Sequence, residues 1–335
     1  MQLLKQRKKL KVCLTRSTME KKDDIFAGSA VPPKKIQRTN LFNGEFSPSG
    51  IEAAKCFRRF YYTKMLGLKA KTTPVAMIFG TCIHEAVEEF YKLTSAMEAH
   101  PSKKDRLDVK IAVVQKFAEA WQEAGVDGDI KRNLESGLMI MNNYVDKYID
   151  DTSKFELENI ESDQWVAMPN GTMMLVKMDR VLRENSMIVL VDTKTTSGGI
   201  TPYFFRNFEN HLPTTLYTYT VEQLLGKCDY VMIDAIKVPP PPSTSKSEPF
   251  GRGTFMRTDL QIQDAISTYC AVTDYIMSVI KHPESEWAER MYCDQSHCGD
   301  YGGCEFLDLC KHGLDHPTVR VNFDIKPPKK PENLL

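Results

Sequence analysis

Two carboxylates and an ammonium have the types and spacing to do chemistry: Asp179 and, thirteen residues later, the triplet Asp192-Thr193-Lys194. The reaction they suit is metal-dependent phosphodiester cleavage. A phosphate diester resists attack because its own charge repels the nucleophile. A divalent ion held by Asp179 and Asp192 would neutralise that charge and acidify a bound water, and a second ion could stabilise the leaving oxygen. Hard oxygen donors suit Mg²⁺ or Mn²⁺. Lys194 could orient the water or stabilise the negative charge that develops. In isolation the triplet reads more plainly as a surface ion pair, Asp192 with Lys194, because D-x-K is frequent by chance.

Its setting raises it above chance. Met173–Val181 and Met187–Asp192 read as two strands around a turn. With Glu184 and Asn185 as a two-residue loop, residue 179 faces 190, so Asp179, Asp192 and Lys194 share one face and Thr193 points away. The two aspartates become diagonal neighbours with Cα atoms roughly 7–8 Å apart. A slip of one residue would put them on opposite faces. The second strand is apolar up to Asp192, as in a central strand covered on both sides. A carboxylate at its buried end must be paired or bound to metal.

A third element lies upstream, where Phe79, Ile83, Ala86, Val87 and Phe90 repeat with helical spacing. Gly80 and His84 stand one turn apart on one side of it, with Glu88 a further turn on as an outer candidate. Glycine weakens a helix by about 1 kcal/mol relative to alanine, so Gly80 suggests a close approach to the backbone. Imidazole is an acceptable Mn²⁺ ligand, although a lone helical histidine is more often simply packed or solvated.

Nine cysteines occur, four of them crowded at Cys293, Cys298, Cys304 and Cys310, with Cys56 far upstream. No C-x2-C pair of the usual zinc-finger kind is present. The C-terminal four could bind Zn²⁺; disulfides fit less well with an odd count and no apolar leader. Cys13, Cys82, Cys228 and Cys270 read as plain thiols.

Gly80-x-x-x-His84, Asp179 and Asp192-Thr-Lys194, in that order, resemble the RecB-like branch of the PD-(D/E)XK nuclease superfamily. The resemblance implies an α/β, restriction-endonuclease-like core with a central mixed sheet flanked by helices. It also implies a metal held by His84, Asp179, Asp192 and the Thr193 carbonyl, with Lys194 catalytic. The branch carries a helical Gln-x-x-x-Tyr motif; here Tyr219 fits as a substrate-binding residue, while Thr215 stands where glutamine is usual. One cysteine before the core and three after it is similar to the iron–sulfur members, such as the CRISPR-adaptation and AddB nucleases. That likeness assigns a 4Fe-4S cluster to Cys56, Cys298, Cys304 and Cys310, closing the ends of the domain together. Cys293 is left over and could replace Cys298.

The rest of the chain is consistent with this. It has 335 residues, 42% of them apolar, a formal net charge of zero and no run approaching a membrane span. Residues 1–40 read as a basic disordered arm, with eleven Lys or Arg against three acids in the first 38. A nuclease domain is expected over 41–323, with a helical insertion at about 95–160 and an iron–sulfur region at 293–310. A disordered tail is expected over 324–335. Insertion helices at 109–123 and 134–149 are expected to cap the cleft, where Lys103, Lys104, Arg106, Lys110, Lys131 and Arg132 could line a strand channel. Residues 239–253 read as a Pro- and Ser-rich loop. The expected function is a Mg²⁺- or Mn²⁺-dependent DNA exonuclease acting on single strands or ends, in recombination, repair or phage DNA processing. Any helicase or recombinase partner would be a separate chain, and the setting would be bacterial or phage-infected cytoplasm. The competing expectation is a non-catalytic, zinc-containing DNA-binding module.

Overall fold

The computed structural model describes residues 46–325 apart from 72, 96, 98–100, 161–162, 241–246, 300–302, 315 and 317–320. The basic arm and residues 326–335 lie outside the described residues. A five-stranded sheet forms the centre. Its strands are β2 (Phe155–Ile160), β5 (Arg180–Glu184), β6 (Met187–Thr196), β7 (Tyr230–Lys237) and β8 (Phe250–Phe255), in the order β2-β5-β6-β7-β8. Only β6 and β7 are parallel, so the sheet is mixed, as expected. The β6–β7 link is the one that needs a crossover, and it carries α6 (Pro202–Arg206) and α7 (Leu212–Leu225).

One face of the sheet meets three long helices: α3 (Val75–Thr94), α4 (Lys103–Ala124) and α5 (Leu134–Tyr148). Phe79, Ile83, Val87 and Phe90 of α3 join Val113 and Phe117 of α4, Ile140 and Tyr144 of α5, and Val189 and Val191 of β6 in a single core. The insertion helices are therefore core, not a cap. Their apolar stripes are consumed by α3 and the sheet, which a lid could not offer. Local chemistry sets their ends: Ser102 and Asp105 form a capping box for α4, and Asn133 caps α5. On the opposite face α7 packs over β6 and α8 (Asp259–Ile280) packs against α7.

The expected strand 173–181 is two strands. β4 (Met173–Lys177) pairs with β3 (Asp163–Ala167) in a separate ribbon, and the chain bends at Met178-Asp179 before entering β5. The β5–β6 turn is Asn185-Ser186, one residue later than expected, with Asn185 in the left-handed region that asparagine tolerates. The register therefore moves by two and parity survives: Arg180 pairs with Val191, which sets Asp179 level with Asp192.

β8 occupies part of the expected loop. Its glycines hid it, yet they are what the packing requires, since a Cβ at Gly253 would lie 2.4 Å from the Phe205 ring and one at Gly251 2.7 Å from Ile200. Asp324 and Ile325, expected in the tail, belong to β9 (Phe323–Ile325), which pairs with β1 (Leu68–Ala70) and stacks Phe323 on Phe306. Among the described residues no helix is long and apolar enough to cross a membrane.

Helix α5 packs its Gly137 directly against the Phe117 ring of α4, where a Cβ would lie 1.9 Å from the ring. Gly137→Val is expected to cost about 1–3 kcal/mol by overpacking, read as a lower midpoint in denaturant unfolding. An unchanged midpoint would contradict this packing.

Candidate active site

Gly80, His84 and Glu88 repeat every four residues along the rim of α3, beside the stripe that enters the core. They line an open cleft of about 880 Å³ with Lys177, Lys194 and Thr195. Thr195 is what approaches Gly80, but at 3.5 Å from the position of a Cβ, so the contact does not by itself require glycine. His84 Nδ1 lies 3.3 Å from Asp179 Oδ1. Asp179 Oδ2 accepts a 2.7 Å hydrogen bond from the Thr193 N–H. Lys194 Nζ lies 2.8 Å from Asp192 Oδ1 and 2.7 Å from Oδ2. Asp192 is 4% exposed, whereas His84, Asp179 and Lys194 are partly exposed, and His84 and Lys194 line the cleft. Thr193 is fully buried with its hydroxyl on the other face, as the alternation predicts.

The electrostatics follow from this crowding. Burial would raise Asp179, but His84, Lys194 and the Thr193 N–H hold it far below the usual carboxylate range. Asp192 is pushed up by burial against the opposing pull of Lys194, with the Asp179 charge adding to the rise. Burial works against a charged His84, yet Asp179 holds the imidazole above its ordinary value. Two carboxylates are thus held close together, each against a single cationic side chain. Among the described residues no three His, Cys, Asp or Glu side chains already encircle one ion-sized point. Instead, His84 serves Asp179 and Lys194 serves Asp192. The donor set, two carboxylates and an imidazole beside the cleft, fits a hard divalent cation.

Two side chains near this cluster were missed in the sequence. Tyr217 is raised by burial and then by the charges of Asp192, Asp179 and Glu52. Tyr219, two residues further along the same helix, is turned about 200° away, so the helix presents Tyr217 to the carboxylates. Glu52 of α1 (Pro48–Ala53) adds its charge at Lys194 and lies 3.9 Å from His211. Its one sequence hint is its place four residues before Cys56. Three of the six basic residues expected to form a strand channel are held in ion pairs, Arg106 with Asp150, Lys110 with Asp146 and Arg132 with Asp129, and none of the six lines this cleft. Lys116 and Lys177 line the cleft instead.

A second site lies at the domain's ends. Cys56, Cys298, Cys304 and Cys310 line one cavity of about 470 Å³, joined by Cys293. Cys56 begins α2 (Phe57–Phe60), which is tied to the chain just before Cys293: the Arg58 N–H donates to Tyr292 O at 2.9 Å and its Nε to Met291 O at 2.7 Å. The Phe57 ring packs on Tyr275 and Tyr292. The Cys293 thiol is pushed up to about 12 by burial and by the neighbouring Cys56 and Cys310. Such crowded thiols favour ionisation only when a cation joins them, which suits a thiolate-bound metal centre. All eight described cysteines are free thiols.

The mixed sheet, its flanking helices and the acidic hairpin end define a class: an α/β protein with a restriction-endonuclease-like core. The family model matches residues 45–311, and the chain belongs to the PD-(D/E)XK nuclease superfamily. Membership makes it a nuclease, in a superfamily that typically uses Mg²⁺ or Mn²⁺. No curated protein matches the chain. Among the solved structures it is similar to is one described as the crystal structure of SSO0001, at 6% identity and a TM-score of 0.28, covering 62% of this chain and 88% of that one; a likeness so loose carries no argument.

Mn²⁺ should raise the thermal midpoint of the protein, because a ligand that binds only the folded state stabilises it. The gain should be larger at pH 8 than at pH 6, since the ion displaces protons from groups held above their ordinary values. Asp179→Ala should abolish the gain; an equal shift in that variant would place the ion elsewhere.

Proposed function

We propose that the protein is a metal-dependent DNA exonuclease of the RecB-like branch, acting on single-stranded or end-containing DNA. The observation that carries this is the meeting of His84 and Lys194, which line the cleft, with Asp179 and Asp192, their partners just behind it. Asp179, Asp192, His84 and the Thr193 carbonyl would hold Mg²⁺ or Mn²⁺. When bound, the ion supplies charge neutralisation and an acidified water. Lys194, at the mouth beside Asp192, then orients the water and stabilises charge on the phosphate. Lys177, and Lys116 once it leaves the Glu85 carboxylate 3.0 Å away, would meet the backbone phosphates along a cleft wall that also carries Glu88 and Glu89. Processing of DNA in recombination, repair or phage replication, beside a separate helicase or recombinase in the cytoplasm, is the setting this chemistry fits.

The same reading gives the cysteine cavity a 4Fe-4S cluster. Five thiols from both ends of the domain, with Cys293 against Cys56 and Cys310, support it. The cluster would tie those ends together, so its loss should loosen both.

Two outcomes check this proposal. With Mn²⁺ and labelled single or double strands, the wild type should degrade DNA, while Lys194→Ala and Asp179→Ala should each lose at least about a hundredfold in rate; unchanged activity in both variants rejects the site. Protein purified without oxygen should be brown and contain iron, and Cys56→Ala should lose the colour and expose both ends to protease. Colourless, zinc-bearing protein would replace the cluster with a zinc centre.

A further inference from the structure

Behind the face that carries Asp192 and Lys194, the sheet buries a second set of charges that the proposed chemistry does not use. Arg180 is 3% exposed and Asp234 is wholly buried. Arg180 donates from one terminal nitrogen to Thr193 Oγ1 and from the other to Asp234 Oδ2, both at 2.8 Å, and lies 4.3 Å over the Tyr91 ring. Asp234 also accepts from the Tyr144 hydroxyl at 2.5 Å and from Arg252 Nε at 3.5 Å. Arg252 reaches the Tyr91 hydroxyl at 3.0 Å.

The placement of these groups is informative. Arg180 follows Asp179, and Thr193 stands between Asp192 and Lys194. Tyr91 lies two helical turns beyond His84 on the same side of α3. The register sets Thr193 beside Asp234, and Asp234 beside Arg252, so the row runs from β5 to β8. The segments that carry His84, Asp179 and Asp192 each also send a side chain into this network: Tyr91 from α3, Arg180 from the start of β5 and Thr193 from β6. Apolar side chains of equal volume would fill the space at no loss of stability, because buried ion pairs roughly offset their own desolvation. What an apolar core lacks is the planar fork of a guanidinium, which donates to its partners at one spacing and one angle.

We infer that Arg180 and Asp234 are positioning residues: their buried pair locks the His84 helix, the Asp179 bend and the Asp192 strand at the spacing one divalent cation requires. This rests on the nuclease reading above. Groups that orient metal ligands from behind typically cost 10–100-fold in metal affinity when removed.

The test is calorimetric titration of Mn²⁺ into the full-length protein, with cleavage rates and thermal melts alongside. Arg180→Met combined with Asp234→Leu should melt cooperatively but bind Mn²⁺ about tenfold or more weakly. Arg180→Lys should recover part of the affinity, because an ammonium can serve one partner but not both. Wild-type affinity in a folded double variant would overturn the inference. Should that variant not fold, Thr193→Val decides: it removes one acceptor of the fork and keeps the side-chain shape, and is expected to weaken Mn²⁺ severalfold, with wild-type affinity overturning the inference. Mn²⁺ binding without DNA cleavage in the wild type would reject the nuclease reading alone, whereas no Mn²⁺ binding at all would reject both.

Discussion

Everything in the cleft depends on the register of the β5–β6 hairpin. Because side chains alternate along a strand, the pairing of Arg180 with Val191 sends Asp192 and Lys194 to one face and Thr193 to the other. A shift of one residue would bury the lysine in the helical core and expose Thr193 to the cleft. The register is held from three sides: the left-handed Asn185 at the turn, the apolar inward row Val189 and Val191, and the Arg180 fork bridging to Thr193 and Asp234.

Charge balance is the second constraint. Asp192 sits 4% exposed with one ammonium for company, while Asp179 is satisfied by an imidazole and a backbone N–H. Such an arrangement is expensive to leave in a folded chain. It becomes intelligible when the two carboxylates have a shared cationic guest. Under the proposed cluster the thiol cavity would follow the same logic with softer donors, its crowded thiols stabilised as thiolates only around a metal. Both sites keep a local disadvantage that binding would relieve.

Much of the architecture was legible in the sequence because the strongest patterns are the most local. The stripe in α3, the apolar run into Asp192 and the parity of the hairpin all rest on side-chain periodicity, and each led to the correct face. Parity survived even though the turn lies one residue later, since a change of two in register leaves every side chain on its side. The order His84, Asp179, Asp192, Lys194 was legible as spacing, whereas the grouping of Cys56 with the C-terminal cysteines rested on the family resemblance. What escaped was set by tertiary context. Nothing in Met173–Val181 announced the bend at Met178-Asp179, which arises because β4 finds a partner in β3. β8 was concealed by Gly251 and Gly253, whose missing side chains make room for Ile200 and Phe205. The choice between Tyr217 and Tyr219 turned on the rotation of α7, and Glu52 and Arg180 act across distances that no local window spans.

The central claim is that one divalent cation sits between Asp179 and Asp192 with His84 beside it. A crystal of the full-length protein soaked in Mn²⁺, with data collected at the manganese edge, tests it directly. The account predicts an anomalous peak within about 2.0–2.4 Å of a carboxylate oxygen from each aspartate, with Lys194 swung off Asp192. A peak elsewhere, with the His84–Asp179 and Lys194–Asp192 pairs intact, would contradict it.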